Sequence, residues 1–425
     1  MSARPGIAVA IHDGFYGCGT GAGYANLGFL RTLVDLLPED ARLAVLPLRL
    51  APESPEYHQD WHAHVLDILD RPHVSIHPVD NGTAGMDRWG TLDNFRTVSA
   101  HTGLRLREDL AAHTDPLLIF AFDVPFFGLP AALPTAMRTQ LILVPRSSAL
   151  IHTPDDHERV AWERTNLHTG LGAGTRVGVI SPFMGRHLHQ DYGIPRHALL
   201  DIPDGLTVED KARIVGPHSS DIPDIRLPEE FILAIGRAEP YKGFDDLIDA
   251  LAILRKTRSD IPHLILAATT ETPHPTEYQR HLARRIEELG IVATMLFRFS
   301  PSVTALLRTP GVRAVVVPSR AEPFGRIPME AFLAGAGPVI TTTAHGLAEQ
   351  IEPGSTGFTC APGAPETLAV ALASALCLTT EQRRAMTRRA RRRAARTYDH
   401  ATVIRRVLAS AAPWLRLGAA SDRLR

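Results

Sequence analysis

Short apolar runs alternate with amphipathic stretches along the first half of the chain. Ile7–Ile11, Leu43–Leu48, Val74–His77, Leu117–Phe122, Leu141–Val144 and Val177–Ile180 have the length and branched content of buried strands. A glycine loop and a helix from about Tyr24 to Leu37 follow the first of them, and helical stretches lie between most of the rest. That alternation predicts a parallel doubly wound sheet. A second alternation runs through Phe231–Ile235, Leu264–Ala268, Met295–Phe297, Ala314–Val317 and Val339–Thr342, with helices over Asp245–Leu254 and Ile327–Leu333. The fold class is therefore α/β, with two tandem Rossmann-like doubly wound domains facing a cleft. Residues 1–207 form the first domain, and polar, proline-bearing residues 208–228 read as a linker. Residues 229–395 form the second domain, and 396–425 a C-terminal helix expected to cross back to the first. The polar stretch 80–103 reads as a long functional loop.

Length and composition agree with two cores: 425 residues are too many for one, and 44% apolar content suffices for two. No run of eighteen apolar residues exists, and the N-terminus leads straight into a strand, so a cytoplasmic protein without membrane insertion is expected. Cys18, Cys360 and Cys377 are scattered, without disulfide or metal spacing. His62-x-His64 and His187-x-His189 stand apart from acidic or thiol partners, so no metal site is assigned.

Net charge of −1 hides an asymmetry. Residues 1–206 hold 16 arginines and no lysine against 23 acidic residues, while the remainder carries a net charge of +6. The basic half suits an anionic ligand, and the acidic half a neutral or cationic one. The arginine-rich stretch Arg383–Arg396 reads as a solvated helix face, with no nucleic-acid partner assigned.

Two segments of the second half carry chemistry. Gly236-Arg237-Ala238-Glu239-Pro240-Tyr241-Lys242-Gly243 follows its first strand and opens a helix. Backbone N–H groups at that helix start, beside Arg237 and Lys242, would form a pyrophosphate site. Lys242 is one of only three lysines. Further on, Glu322-Pro323-Phe324-Gly325-Arg326-Ile327-Pro328-Met329-Glu330 places two carboxylates eight positions apart, after the run ending at Val317. The first lies in a loop at the carboxyl end of a strand, where open α/β sheets bind ligands, and the second in the following helix. A helix cap or surface carboxylate is the plain alternative for Glu322.

The ordered set resembles the GT-B retaining glycosyltransferases of family four. Its parts are Gly236-Arg237 with Lys242-Gly243, Pro318-Ser319 leading into Glu322-x7-Glu330, then Gly335, Pro338-Val339, Gly346-Leu347, Glu349 and Gly354-x-x-Gly357. The resemblance covers roughly residues 231–376. Before them it rests on strand order and on Ile202-Pro203-Asp204-Gly205, similar to the family's Pro-Asn-Gly turn. It implies that Arg237 and Lys242 neutralise a departing diphosphate. Glu322 would accept sugar hydroxyls, helped by the N–H groups of Phe324 and Gly325, and Glu330 would bind ribose. Gly236 would line the donor, and Arg298-Phe299 would border the base. The family needs no metal, so the nucleoside diphosphate sugar is a co-substrate and no cofactor is expected. The two carboxylates bind rather than act as acid and nucleophile.

This chain departs from the family at Gly335-Ala336-Gly337-Pro338, which has one extra residue, and at His345-Gly346-Leu347, where the family has Gly-Gly-Leu. His345 is thereby a candidate donor-sugar contact. A glycine usual after the third strand of this half is replaced by Phe299.

The first half is harder to assign. Gly17-Cys18-Gly19-Thr20-Gly21-Ala22-Gly23 could be a degenerate dinucleotide fingerprint, but five residues, His12 to Tyr16, separate it from the strand and no acid ends the second strand. In the glycosyltransferase reading Gly21 and Gly23 let backbone approach the donor, and a ligand-free turn is the alternative. Asp123 follows one strand and Arg146 the next. Asp123 is the candidate to orient or deprotonate an acceptor, or else a loop cap. Arg146 falls where the family often has histidine, and both it and His152 are candidate acceptor contacts.

The sequence thus predicts a hexosyltransferase-type enzyme moving sugar from a nucleoside diphosphate, UDP ahead of GDP, to a small polar acceptor. Arginine far in excess of lysine implies GC-rich coding DNA and suits an antibiotic pathway of aminoglycoside or lincosamide type. The alternatives are polysaccharide or glycolipid assembly and a nucleotide-binding oxidoreductase.

Overall fold

The computed structural model describes residues 4–110, 114–215, 225–298 and 300–417. The chain divides into two compact units, residues 1–207 with 400–425, and residues 208–399.

The first unit is built on seven parallel strands: β1 (Arg4–Ile11), β2 (Arg42–Pro47), β3 (Val74–Ile76), β4 (Thr114–Phe122), β5 (Leu141–Val144), β6 (Arg176–Val179) and β7 (Leu199–Asp201). Their order is β3-β2-β1-β4-β5-β6-β7, so the direction of winding reverses between β1 and β4. Helices cover both faces of such a sheet, which is why Ile7–Ile11 and Leu141–Val144 are apolar at every position and at most 1% exposed. The helix Gly21–Leu36 packs on the C-terminal helix His400–Ala411, where Thr32 Oγ1 and His400 Nδ1 lie 2.8 Å apart.

The second unit repeats the plan with β8 (Phe231–Arg237), β9 (His263–Thr270), β10 (Ala293–Arg298), β11 (Val312–Val317), β12 (Val339–Thr342) and β13 (Gly357–Cys360). All neighbours are parallel, in the order β10-β9-β8-β11-β12-β13, with the reversal between β8 and β11.

Three expectations need correction. Val208–Val215, read as the start of a linker, is a helix of the second unit, and residues 216–224 of that linker lie outside the described residues. The stretch 80–103 is loop only to about Gly90. Leu92–Arg105 is helical, started by the Thr91 N–H donating to Asn94 Oδ1 at 2.7 Å. Strands β7 and β13 are additional: both are short, sit at sheet edges and lack a continuous apolar run. No helix of the described residues is long and apolar enough to cross a membrane.

Candidate active-site residues

In the second unit the polar residues collect at the carboxyl ends of β8 and β11, on either side of the reversal, where open α/β sheets hold ligands. After β8 the chain makes one tight turn, Pro240–Lys242, and enters the helix Phe244–Arg255 through Gly243 at φ 65°. A side chain there would put Cβ 2.2 Å from the Pro318 carbonyl oxygen, so only glycine allows the two loops to touch. The contact brings Lys242 Nζ into an ion pair with Glu322 Oε2, and both side chains are mostly covered. Lys242 Nζ also stands 5.4 Å from the centre of the Tyr241 ring, while Arg237, at the end of β8, donates to the Tyr241 hydroxyl. Gly236 leaves room for Phe244, whose ring tip would stand 3.1 Å from a Cβ there.

The helix start expected to receive pyrophosphate already carries Asp245 and Asp246 in its first turn. Arg320 holds both, with three contacts of 2.6 to 2.8 Å. The cationic groups left to meet an anion are therefore Arg237 and Lys242, rather than the bare helix terminus.

The loop bearing Glu322 is fixed from two sides. Gln350, 1% exposed, donates from Nε2 to the carbonyls of Phe324 and Gly325, at 2.5 and 2.8 Å. His345 adopts φ 54°, and its Nδ1 accepts the Glu322 N–H at 3.3 Å. Gly346 donates its N–H to the Glu322 carbonyl at 3.0 Å. Phe324 is buried against Tyr398, and Gly325 sits at φ 86°. Sequence reasoning missed Gln350, which lies four residues past Gly346 with no motif to mark it.

Glu330 does not stand open. It is 4% exposed and accepts from Arg326 Nε at 3.1 Å, while Arg326 Nη2 lies 3.1 Å from Asp210. A carboxylate accepts about four hydrogen bonds, so a ribose would have to share it with Arg326. Arg298 ends β10, two strands away from β8, and is exposed. Its neighbour Phe299 lies outside the described residues.

In the first unit Gly21 and Gly23 lie in the first turn of a helix. Gly21 is exposed at the helix start, whereas Gly23 is buried with its Cα against Asp13 and Cys18, and an added Cβ would meet either at 2.8 Å. Thr20 caps that helix, accepting from the Gly23 N–H at 3.1 Å and donating to Asp13 Oδ2 at 2.5 Å. The five residues between β1 and the glycines include two buried polar groups. His12 and Asp13, immediately past β1, are 8% and 3% exposed. Asp13 is held by Arg88, which comes from the stretch 80–103 and also bonds Glu56 at 2.9 Å.

Asp123, at φ 77° and 4% exposed, ends β4 beside His12, with His12 Nδ1 and Asp123 Oδ2 3.2 Å apart. Arg146 is buried, not presented to a ligand. Its Nε donates to Asn26 Oδ1 at 3.0 Å, its Nη1 to Asp204, and its guanidinium lies 4.9 Å from the Phe122 ring centre. Nε is 4.0 Å from Asp123 Oδ2, so Arg146 acts on that carboxylate through its field. An arginine among buried Asn26, Asp123 and Asp204 is drawn to them before any acceptor.

His152 stands half-buried in the one-turn helix Ala149–His152, anchored by Glu163, whose carboxylate accepts the Ala149 N–H at 2.9 and 3.0 Å. Burial pushes the Glu163 carboxyl above its usual range despite these donors. Next to it, Ser148 Oγ, His187 Nε2, His187 Nδ1 and Asp191 Oδ2 form a relay with spacings of 2.8 and 2.6 Å. The order is that of a hydrolytic triad, but Ser148 is 1% exposed and meets no substrate, so the relay is structural.

Two doubly wound parallel sheets, each with charged groups at the reversal of strand order, define the GT-B class of glycosyltransferase folds. Residues 218–393 match the family model of group 1 glycosyl transferases. Glycogen synthase of Mycobacterium tuberculosis is 35% identical over 173 residues, which are 40% of this chain and 40% of that protein. The match therefore spans well under half of that relative. A sucrose-phosphate synthase from Thermosynechococcus elongatus has the same fold, with TM-score 0.74 at 18% identity over 96% of this chain and all of that one. An Anabaena protein solved with UDP-glucose gives TM-score 0.66 at 18% identity over 96% of this chain and 99% of that one.

Proposed function

We propose that the chain is a retaining glycosyltransferase that moves a sugar from a nucleoside diphosphate, UDP ahead of GDP, to a small polyhydroxylated acceptor. The observation that carries this reading is the Lys242–Glu322 pair beside Arg237, at the reversal point of a sheet lying within the group 1 segment. UDP is preferred because a structure of the same fold was solved with UDP-glucose.

In this reading Arg237 and Lys242 take the diphosphate and stabilise the charge that grows as it departs. Glu322, released from Lys242, accepts hydroxyls of the donor sugar, with the N–H groups of Phe324 and Gly325 beside it. Asp123 receives the proton of the acceptor hydroxyl as its oxygen bonds to the anomeric carbon. The bond from that carbon to the diphosphate breaks with its electron pair on the diphosphate. Attack on the face that the diphosphate leaves gives retention. The nucleotide sugar is a co-substrate, and no metal or cofactor takes part. Cytoplasmic activity fits three cysteines with no disulfide among the described residues, where Cys18 and Cys360 are buried and Cys377 is exposed. The antibiotic setting rests on arginine content alone, and acceptor turnover decides it: aminocyclitols against sugar phosphates and lipid-linked sugars.

A thermal-shift panel of UDP, GDP, dTDP and NAD tests the donor, because a ligand stabilises the native state by mass action. UDP should raise Tm and NAD should not. Stabilisation by NAD alone would overturn the proposal in favour of an oxidoreductase. Slow hydrolysis of the donor sugar, lost in Lys242→Ala and Glu322→Ala, separates turnover from mere binding.

A further inference from the structure

Buried polar atoms nearly always have partners, so the exceptions point to something that binds. In the first unit three of them lie on adjacent strand ends. His12 Nδ1 follows β1, Asp123 Oδ2 follows β4, and Ser147 Oγ stands three residues past β5. None has a hydrogen-bond partner among the described residues. His12 Nδ1 and Asp123 Oδ2 are 3.2 Å apart but are not aligned for a bond to each other. An oxygen about 2.8 Å from each completes a near-equilateral triangle, within ordinary hydrogen-bond range of both. A hydroxyl suits that point, because it donates once and accepts twice. It would donate to Asp123 Oδ2 and accept from His12 Nδ1–H.

The neighbourhood also limits what carries the hydroxyl. Trp89 is 38% exposed, and its ring stands edge-on to His12 with centroids 5.3 Å apart. Arg159 lies over that ring, 5.2 Å from its centre, and the part of the indole left exposed beside the hydroxyl seat suits a sugar or cyclitol ring, which presents a C–H face next to its hydroxyls. The charged groups around the seat are already engaged: Arg146 by Asn26 and Asp204, Arg88 by Asp13 and Glu56.

We infer that His12 is a positioning residue. With Asp123 it holds the attacking oxygen of a ring-shaped polyhydroxylated acceptor whose apolar face lies on Trp89. This rests on the glycosyltransferase reading above, with Asp123 as the group that receives the acceptor proton. His12 touches the nucleophile without taking its proton. It fixes the direction of the oxygen lone pair, a term that acts on the acceptor side alone.

Water is the probe, since hydrolysis of UDP-glucose uses it in the acceptor place. In His12→Ala, kcat for hydrolysis should fall about tenfold, the worth of one hydrogen bond. KM for UDP-glucose and the rise in Tm with UDP should stay unchanged. His12→Asn places an amide N–H near the position of Nδ1 and should restore most of the rate. Trp89→Ala should raise the KM of glucose or myo-inositol, used as ring acceptors. Wild-type rates in His12→Ala, or a loss that His12→Asn does not recover, would overturn the inference and leave the donor assignment standing. Failure of wild type to bind UDP or to hydrolyse any sugar nucleotide overturns the functional reading, and this inference with it.

Discussion

Lys242 and Glu322 are ion-paired across the point where the strand order of the second sheet reverses, the place at which a diphosphate and its sugar would enter. A ligand phosphate must compete with Glu322 for Lys242. The two alanine variants should therefore act in opposite directions on nucleotide binding. Lys242→Ala should weaken UDP about tenfold or more. Glu322→Ala should tighten UDP, because the ammonium is set free, yet lower kcat for transfer about 10²-fold or more through loss of the sugar contact. Calorimetric titration with UDP alone and steady-state rates with UDP-glucose check the two limbs. Equal weakening of UDP by both variants would show that Glu322 supports the site only by holding Lys242.

The first unit offers a different test of buried charge. Arg146 lies between Asn26, Asp123 and Asp204, with the Arg146 and Asp204 side chains 6% and 11% exposed. Removing the cation leaves a buried carboxylate without its partner, a change that costs about 3–5 kcal/mol. Arg146→Met should lower the urea midpoint accordingly. Arg146→Lys should recover only part of the loss, since one ammonium cannot reproduce the fork that meets both Asn26 and Asp204. Arg146→Met with Asp204→Asn should be more stable than Arg146→Met alone.

These two tests differ in how far the sequence anticipated them. The second-unit cluster was legible because its parts are local: Gly236 to Gly243 and Glu322 to Glu330 are single segments ending on strands, and the strands announce themselves as apolar runs buried on both faces. The first-unit cluster draws His12, Arg88, Asp123, Arg146 and Asp204 from five separated places, so no spacing reveals it. Burial also engages two of the candidates. Arg146 and Glu330 have the residue types of ligand contacts, but each sits deep enough to be claimed by its own unit. The helix Leu92–Arg105 was hidden by weak amphipathicity, and its one sign was the pair Thr91 and Asn94 that caps it.

Gly346 is the glycine of the Gly-Gly-Leu pattern that this chain keeps, and the geometry says why. A Cβ there would lie 2.1 Å from the Pro323 carbonyl oxygen and 2.7 Å from its carbon, both backbone. Gly346→Ala must therefore push the Glu322 loop outward. It should raise KM for the donor about tenfold and cost about 1–3 kcal/mol in stability, as overpacking does. Gly354→Ala is the control: φ is 75° but nothing stands within 4 Å, so it should cost only the left-handed backbone penalty, about 1–2 kcal/mol, with KM unchanged. Similar donor KM in the two variants would remove the steric argument.

The relay of buried Ser148 and His187 with exposed Asp191 makes stability depend on pH. Burial lowers the His187 pKa, and the Asp191 carboxylate, which raises it, only partly offsets that effect. In the unfolded chain a histidine titrates near about 6.5. The folded value lies below it, so the native state favours the neutral ring. The stability from His187 is thus complete above about pH 6.5 and falls as pH drops through the folded value. Glu163, raised by burial, contributes with the opposite sign, being stabilising at low pH and less so as pH rises. Comparing two proteins at each pH cancels that term. His187→Gln keeps a polar atom near Nε2 for Ser148 Oγ but does not titrate. Between pH 7 and pH 5 the wild-type Tm should therefore fall more steeply than that of His187→Gln. Parallel curves over that interval would mean that the ring is not held neutral by its burial.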